Sequence, residues 1–137
     1  MRALPFVVAM TFLALSTLPA QAADVGKAPP PAPYQAVSKL VTLPDFLPGM
    51  GTLYVDPKTL PAGPFLAYAK SGKLVSTIFM IPLEDINAHK KFDALKTSGH
   101  KVDHVDLYFN PGHPGVEKPH YHIVLWHVPE SEAASVK

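Results

Sequence analysis

"HVDLYFNPGHPGVEKPHYHIVLWH", running from His104 to His127, decides the fold and raises the question of function. Two runs rich in β-branched and aromatic residues flank a loop of prolines and glycines. Five of the chain's seven histidines fall in this stretch, so whatever the imidazoles do is decided here. Lys101 to Phe109 and Pro119 to Val128 have the length and alternation of strands. Successive side chains of a strand point to opposite faces. One face of the first strand carries Val105, Leu107 and Phe109, and the other His104, Asp106 and Tyr108. One face of the second carries Tyr121, Ile123 and Leu125, and the other His120, His122, Val124 and Trp126. The more apolar face of each strand is expected to meet the main core, with His127 on that side near the strand's end. If the two strands share a sheet, His104, Asp106, His120 and His122 lie together on the opposite face. The loop above them carries His113 and Glu117.

That grouping points to a metal. Imidazole and carboxylate are good ligands for zinc, nickel, copper(II) or iron(II). A His-x-His pair sets two ligands about 7 Å apart along one strand face, within reach of one ion given suitable rotamers. The candidate ligands are His104, Asp106, His113, His120 and His122. Pro111–Gly112 and Pro114–Gly115 are turn pairs that fix His113 above the strands. No organic cofactor is expected. Copper(I) is disfavoured, because beyond residue 22 the chain offers only Met50 and Met80 and no cysteine. The plainer reading is that histidines on a wet sheet face need no ligand. Alternatively, Tyr108 and Trp126 pack under the helix on a second buried face, with the histidines at its edge.

Working outward, Lys96 and Gly99 close a segment that begins at Pro82. Glu84 and Asp85 favour a helical first turn there, and Leu83, Ile86 and Leu95 lie broadly on one side. The spacing predicts one amphipathic helix over about residues 82–97, with His89 solvated. Before it, Phe65–Ala69 and Leu74–Ile81 read as a β-hairpin closed by Lys-Ser-Gly-Lys. Thr52–Val55 reads as a brief strand, and Ser38–Pro44 as a further short one. The expected fold class is α+β: a small, mainly antiparallel sheet or sandwich with one helix and a C-terminal strand pair. Residues 38–128 form one domain. Residues 23–37 are a proline-rich, solvated leader, and residues 129–137 a disordered tail.

The N-terminus has a short positive start, an apolar run and Ala20-Gln21-Ala22, the three parts of a cleavable signal peptide over residues 1–22. The expectation is export to the periplasm or outside, cleavage after Ala22, and no membrane insertion afterwards. Exported chains live where disulfides persist, yet this one has no cysteine, so its fold rests on its apolar core. With 12 basic and 11 acidic residues there is no basic stripe, which argues against nucleic acid as a partner. The expected partner is a metal ion or small ligand. A homo-oligomer is compatible with the sequence.

The C-terminal stretch resembles an exported bacterial family classed as a domain of unknown function. That family's signature runs approximately G-H-P-P-G, then P-H-F-D-F-H-F-Y. The residues that match are His104-Val105, Asn110-Pro111, Gly112-His113-Pro114, Gly115 and Pro119-His120-Tyr121. The resemblance spans roughly residues 46–128 and is specific only in its C-terminal third. Two positions depart from it: the aspartate after P-H-F is His122 here, and the next histidine is Val124. The resemblance implies residues to watch and no reaction. A His-x-His after a Pro/Gly loop is also similar to the first cupin motif, but Leu125 and Trp126 stand where cupins need a glutamate.

Three functions follow. The leading one is an exported protein that binds a divalent metal, or a ligand through it, on a His-rich sheet face. The second is a metal-dependent hydrolase or oxygenase with Glu117 or Asp103 as general base. The third is an envelope interaction module that responds to pH without metal. No serine sits in a nucleophile-elbow pattern. Whether the protein turns anything over is left open by the sequence.

Overall fold

A computed structural model describes residues 23–136, so the signal-peptide expectation lies outside the described residues. Six strands form one sheet, and every neighbouring pair is antiparallel. In chain order they are β1 (Gln35–Ala36), β2 (Thr52–Val55), β3 (Phe65–Tyr68), β4 (Leu74–Pro82), β5 (His104–Asn110) and β6 (His120–Trp126). Across the sheet the order is β1-β2-β3-β4-β6-β5. Among the described residues, two short α-helices, α1 (Leu83–Asn87) and α2 (Glu130–Ala133), complete the α+β fold. Among the described residues no helix is long and apolar enough to cross a membrane.

The hairpin and the C-terminal strand pair form where the alternation puts them. Gly72 takes φ +86 in the β3–β4 turn, a conformation a Cβ disfavours. β4 is an unbroken run of apolar and small polar residues, and it is buried at every position. A strand buried on both faces needs such a run, and both faces are indeed covered. On one face Val55, Phe65, Ile78, Met80, Val124 and Trp126 build the larger core cluster. On the other, Leu66, Tyr68 and Leu74 pack with Val25.

Four expectations are corrected. First, the leader belongs to the fold. Val25 is buried, and Tyr68 donates its hydroxyl to the Val25 carbonyl at 2.7 Å. Leu74 N–H donates to Gly26 and Ala28 N–H to Gly72, tying the leader to the β3–β4 turn. Proline-rich sequence is stiff rather than disordered, so docking it costs little entropy. Second, the tail does not fray: Ala133 and Val136 join the larger core cluster. Third, Ser38–Pro44 is not a strand; a single 3-10 turn, Val37–Lys39, leads into loops.

Fourth, the helix is five residues long and does not reach residue 97. It ends in a Schellman motif: Lys90 N–H donates to Asp85 and His89 N–H to Ile86, with His89 at φ +57. Ile86 remains exposed and Ala94 has a second left-handed backbone, so no apolar stripe exists to reward a longer helix.

Candidate metal centre

β5 and β6 pair in the register that puts His104, Asp106, Tyr108 and Asn110 opposite Trp126, Val124, His122 and His120. The four predicted polar residues therefore do share a face. That face is the inner one, contrary to expectation. His120 is wholly buried and His122 is 3% exposed, while Val105, Leu107 and Phe109 are 54%, 65% and 50% exposed. The reason is the neighbour across the sheet. β6 pairs with β4, so His122 sits beside Met80 and Val124 beside Ile78, on the larger core. β5 is an edge strand, and the side carrying its apolar set is left open.

A buried imidazole needs partners for both nitrogens. His120 Nδ1 lies 2.7 Å from the Lys118 carbonyl, which can only accept, so Nδ1 carries the hydrogen and Nε2 a lone pair. His122 Nε2 is 2.9 Å from that nitrogen and donates to it. His122 Nδ1 is then an acceptor, and the Tyr108 hydroxyl donates to it at 3.0 Å. One chain of hydrogen bonds thus runs Tyr108, His122, His120, Lys118. Lys118 is in turn steadied by its 2.8 Å ion pair with Glu84 and by Leu83 N–H donating to Pro119. The short helix α1 buttresses the start of β6 in this way.

The loop brings in the third imidazole. Asn110 Oδ1 accepts from Gly112 N–H, an Asx turn. His113 and Val116 exchange two backbone hydrogen bonds at 3.0 Å across Pro114 and Gly115. Gly115 has φ +89, so the turn is type II with proline and glycine in their preferred places. A Cβ on Gly112 would run into the Glu117 carbonyl oxygen, and one on Gly115 into Val41. The loop is therefore closed on itself and packed downward. His113 meets His120 edge-on at a ring separation of 4.9 Å, and His122 at 5.6 Å. Its Nδ1 donates to the Pro114 carbonyl at 3.1 Å, leaving Nε2 as the lone-pair nitrogen.

The ligand atoms of His113, His120 and His122 all lie within 4.8 Å of one another. Three imidazoles around one tetrahedral ion, each about 2.0–2.1 Å from it, would stand roughly 3.3 Å apart. Small ring movements reach that geometry. Two of the three Nδ1 atoms already donate to backbone carbonyls, the outer-shell arrangement that fixes Nε2 as ligand. Burial, then the charges of His120 and His113, push the His122 pKa down to about 4. It therefore stays neutral and able to ligate at physiological pH. Burial, with help from Asp106, raises the Tyr108 pKa, so the phenol keeps its hydrogen.

The structure does not bring His104 and Asp106 into this group. Asp106 Oδ2 accepts from Trp126 Nε1 at 2.8 Å. His104 stacks on Trp126 and bonds Asp103 at 2.9 Å. Both residues serve the burial of Trp126. Asp103 is thereby also engaged, and neither it nor Glu117 belongs to the imidazole group. His127 bonds Thr77, Ser98 and the Lys101 carbonyl, fixing the segment between α1 and β5. The backbone acceptors at Pro114 and Lys118 leave no trace in the identity of their residues, and only the turn chemistry hints at the first.

Beside the imidazoles lies a pocket of about 320 Å³. Val37, Val41, Leu43, Leu53, Phe65 and Ile78 supply apolar wall, while Tyr108, Asn110, His113 and His122 supply its polar end. Ser38–Pro44, expected as a strand, instead contributes one of its walls.

No protein-family model matches this chain, and no curated protein matches it. Among solved structures it is similar to hypothetical protein TTHB210 from Thermus thermophilus. The identity is 46% over 69% of this chain and 92% of that one, with a TM-score of 0.62.

Proposed function

The chain belongs to the same family as hypothetical protein TTHB210 from Thermus thermophilus, and from its own residues we propose that it is an exported protein that binds a divalent metal through His113, His120 and His122. The relative, described only as hypothetical, lends no activity. One observation carries the reading: three imidazoles with ligand atoms within 4.8 Å, two of them almost fully buried. In the metal-free protein the His120 lone pair accepts from His122 Nε2, and His113 Nε2 is the lone-pair nitrogen left over; a metal would take the place of the hydrogen shared between the buried pair.

Zinc is the first ion to assay, because three histidines and an open fourth position suit it well. Copper(II), nickel and iron(II) accept the same donors. A metal held at His122 Nε2 would need the ring hydrogen on Nδ1, and the Tyr108–His122 bond would then run the other way, with Nδ1 donating and the phenol hydrogen free to turn away. Neither suggested general base lies in the group, so a binding role is favoured over hydrolysis. The signal-peptide pattern of residues 1–22 supports export.

The test is elemental analysis of the untagged protein after desalting, beside a His120→Ala/His122→Ala double variant. About one metal per chain in the wild type and none in the variant is expected. A wild type that stays metal-free after incubation with zinc, nickel and copper sinks the proposal.

Gly112→Ala probes the loop independently. The added Cβ meets the Glu117 carbonyl at φ +133, so the turn must open and His113 must shift. Zinc affinity, measured against a chromophoric chelator, is expected to fall tenfold or more, in the range seen when a ligand's supporting shell is lost. Far-ultraviolet circular dichroism should remain that of the wild type. Unchanged affinity would remove His113 from the ligand set.

A further inference from the structure

We infer that the pocket beside the imidazoles binds a medium-chain carboxylate, its apolar tail in the pocket and its carboxylate on the metal and the Tyr108 hydroxyl. The inference rests on the metal reading above and names the ligand class of that site.

Three features of the pocket lead there. It is concave and has about 320 Å³ of space, at the small end of the roughly 300–1,000 Å³ typical of ligand sites. That suits a single chain of about eight to twelve carbons, or one aromatic ring with a short arm. Its lining contains no Lys, Arg, Asp or Glu, so neither a fixed charge nor an ion pair awaits the tail. Its hydrogen-bonding side chains, Tyr108, Asn110, His113 and His122, all come from β5, β6 and the loop between them, with the Tyr108 and His113 rings 5.1 and 5.6 Å from that of His122. Asn110 is committed there, since its Oδ1 holds the Gly112 N–H. An apolar body with one polar head is the molecule this asymmetry selects.

The head group follows from charge and geometry. A three-histidine site brings no negative charge of its own, so a divalent ion in it keeps its full positive charge. An anionic oxygen at the open position offsets that charge, which a neutral alcohol cannot do as well. Tyr108 is the second contact. Its hydroxyl faces His122 Nδ1 in the metal-free protein, and metal at Nε2 frees its hydrogen for the ligand. A charged acceptor strengthens that bond. The metal and the phenol thus act together, and a carboxylate uses both with its two oxygens.

The walls are built to admit such a ligand. Leu40, Val41, Leu43, Leu47 and Met50 come from the loops between β1 and β2 rather than from strands. Loops can part where strands cannot, because fewer cooperative hydrogen bonds hold them. Gly115, packed against Val41, links this wall to the turn that carries His113.

The experiment titrates decanoate into zinc-loaded and chelator-stripped protein by calorimetry, with decanol as the uncharged control. Zinc content of each sample is read separately. Three further samples are zinc-loaded Tyr108→Phe, Leu53→Trp and Leu43→Trp. Leu53 and Leu43 line the pocket away from the ligating residues, so either tryptophan fills it, and two choices guard against one failing to fold. Expected are saturable decanoate binding with zinc and at least tenfold weaker binding without it. Tyr108→Phe should weaken decanoate about tenfold, as for loss of a hydrogen bond to a charged group, and weaken decanol by much less. The tryptophan variants should keep zinc and lose decanoate. Retained zinc with no decanoate binding overturns this inference and leaves the metal proposal standing. Decanoate binding that ignores zinc or the tryptophans also overturns it. Absent zinc retention defeats the metal proposal itself, and the inference falls with it.

Discussion

Metal-free protein taken from pH 7 to pH 5 is expected to lose about 2 kcal/mol of stability through His122 alone, and about 3 kcal/mol by pH 4. The folded protein holds the His122 pKa down at about 4, against 6.5 for a free imidazole. Between those values the unfolded chain binds a proton that the folded chain refuses. Stability therefore falls as pH drops through this window and is fully present above it. The distance from 6.5 down to about 4, at about 1.4 kcal/mol for each tenfold change in proton affinity, sets the limit of the effect. The cause is chiefly burial, then repulsion from His120 and His113. His127 acts in the same direction, its pKa lowered by burial despite the helpful Lys101 carbonyl. Urea unfolding in the presence of chelator at pH 7, 6 and 5 measures this, with His122→Gln alongside. The three measured pH values stay above the range of ordinary carboxylates, so the histidines dominate the slope between them. His122→Gln should flatten the slope. Parallel slopes for the two proteins would show that His122 does not hold its neutral form in the fold.

A metal bound as proposed would turn the same physics into a sharper dependence. The proton and the ion would compete for the imidazole lone pairs, so the metal would add its own stabilisation at pH 7 and yield it as acid rises. The metal-free measurement must come first, because only then is the slope a property of the fold alone.

Much of this architecture was legible in the sequence. Alternation in "HVDLYF" and "HYHIVLW" sorted the side chains into two sets correctly, and Pro-Gly pairs marked the loop under which the imidazoles gather. Alternation does not say which set is covered. That depends on strand order, and β6 lies between β4 and β5. Val105, Leu107 and Phe109 are more apolar than their partners, yet edge position leaves them in solvent. His120 and His122 go inward because Met80 and Pro82 neighbour them. The same ordering separates the ligand candidates. His104 and Asp106 share the face with the imidazole pair, but Trp126, opposite His104, engages both. The short helix was obscured for a different reason. Residues 88–97 have helix-forming composition, and a Schellman ending at a histidine rather than a glycine carries almost no sequence mark.

Removing residues 130–137 is expected to destabilise the protein by about 3 kcal/mol, although composition marks them as a dispensable tail. Ala133 and Val136 are 8% and 6% exposed within the larger core. Burial of a valine side chain is worth roughly 1.5–3 kcal/mol, and the alanine and the uncovered Val128 add to it. The backbone also counts, since the Val136 carbonyl accepts from Gly49 N–H at 2.8 Å. For a domain of this size about 3 kcal/mol lowers the melting midpoint by roughly 12 °C. Charge is not the cause. Lys73 and Glu132 form an exposed ion pair, and Glu132→Gln should shift the midpoint by less than about 2 °C. Thermal melts of the truncated, Glu132→Gln and full-length proteins separate the two contributions, and an unchanged midpoint after truncation would refute the packing argument. Gly49 lies in the loop between Pro48 and Met50, both of which line the pocket. The C-terminal turn thus holds one wall of that pocket in place. Its loss should loosen decanoate binding more than zinc binding, because the imidazoles hang on β6 and the loop before it.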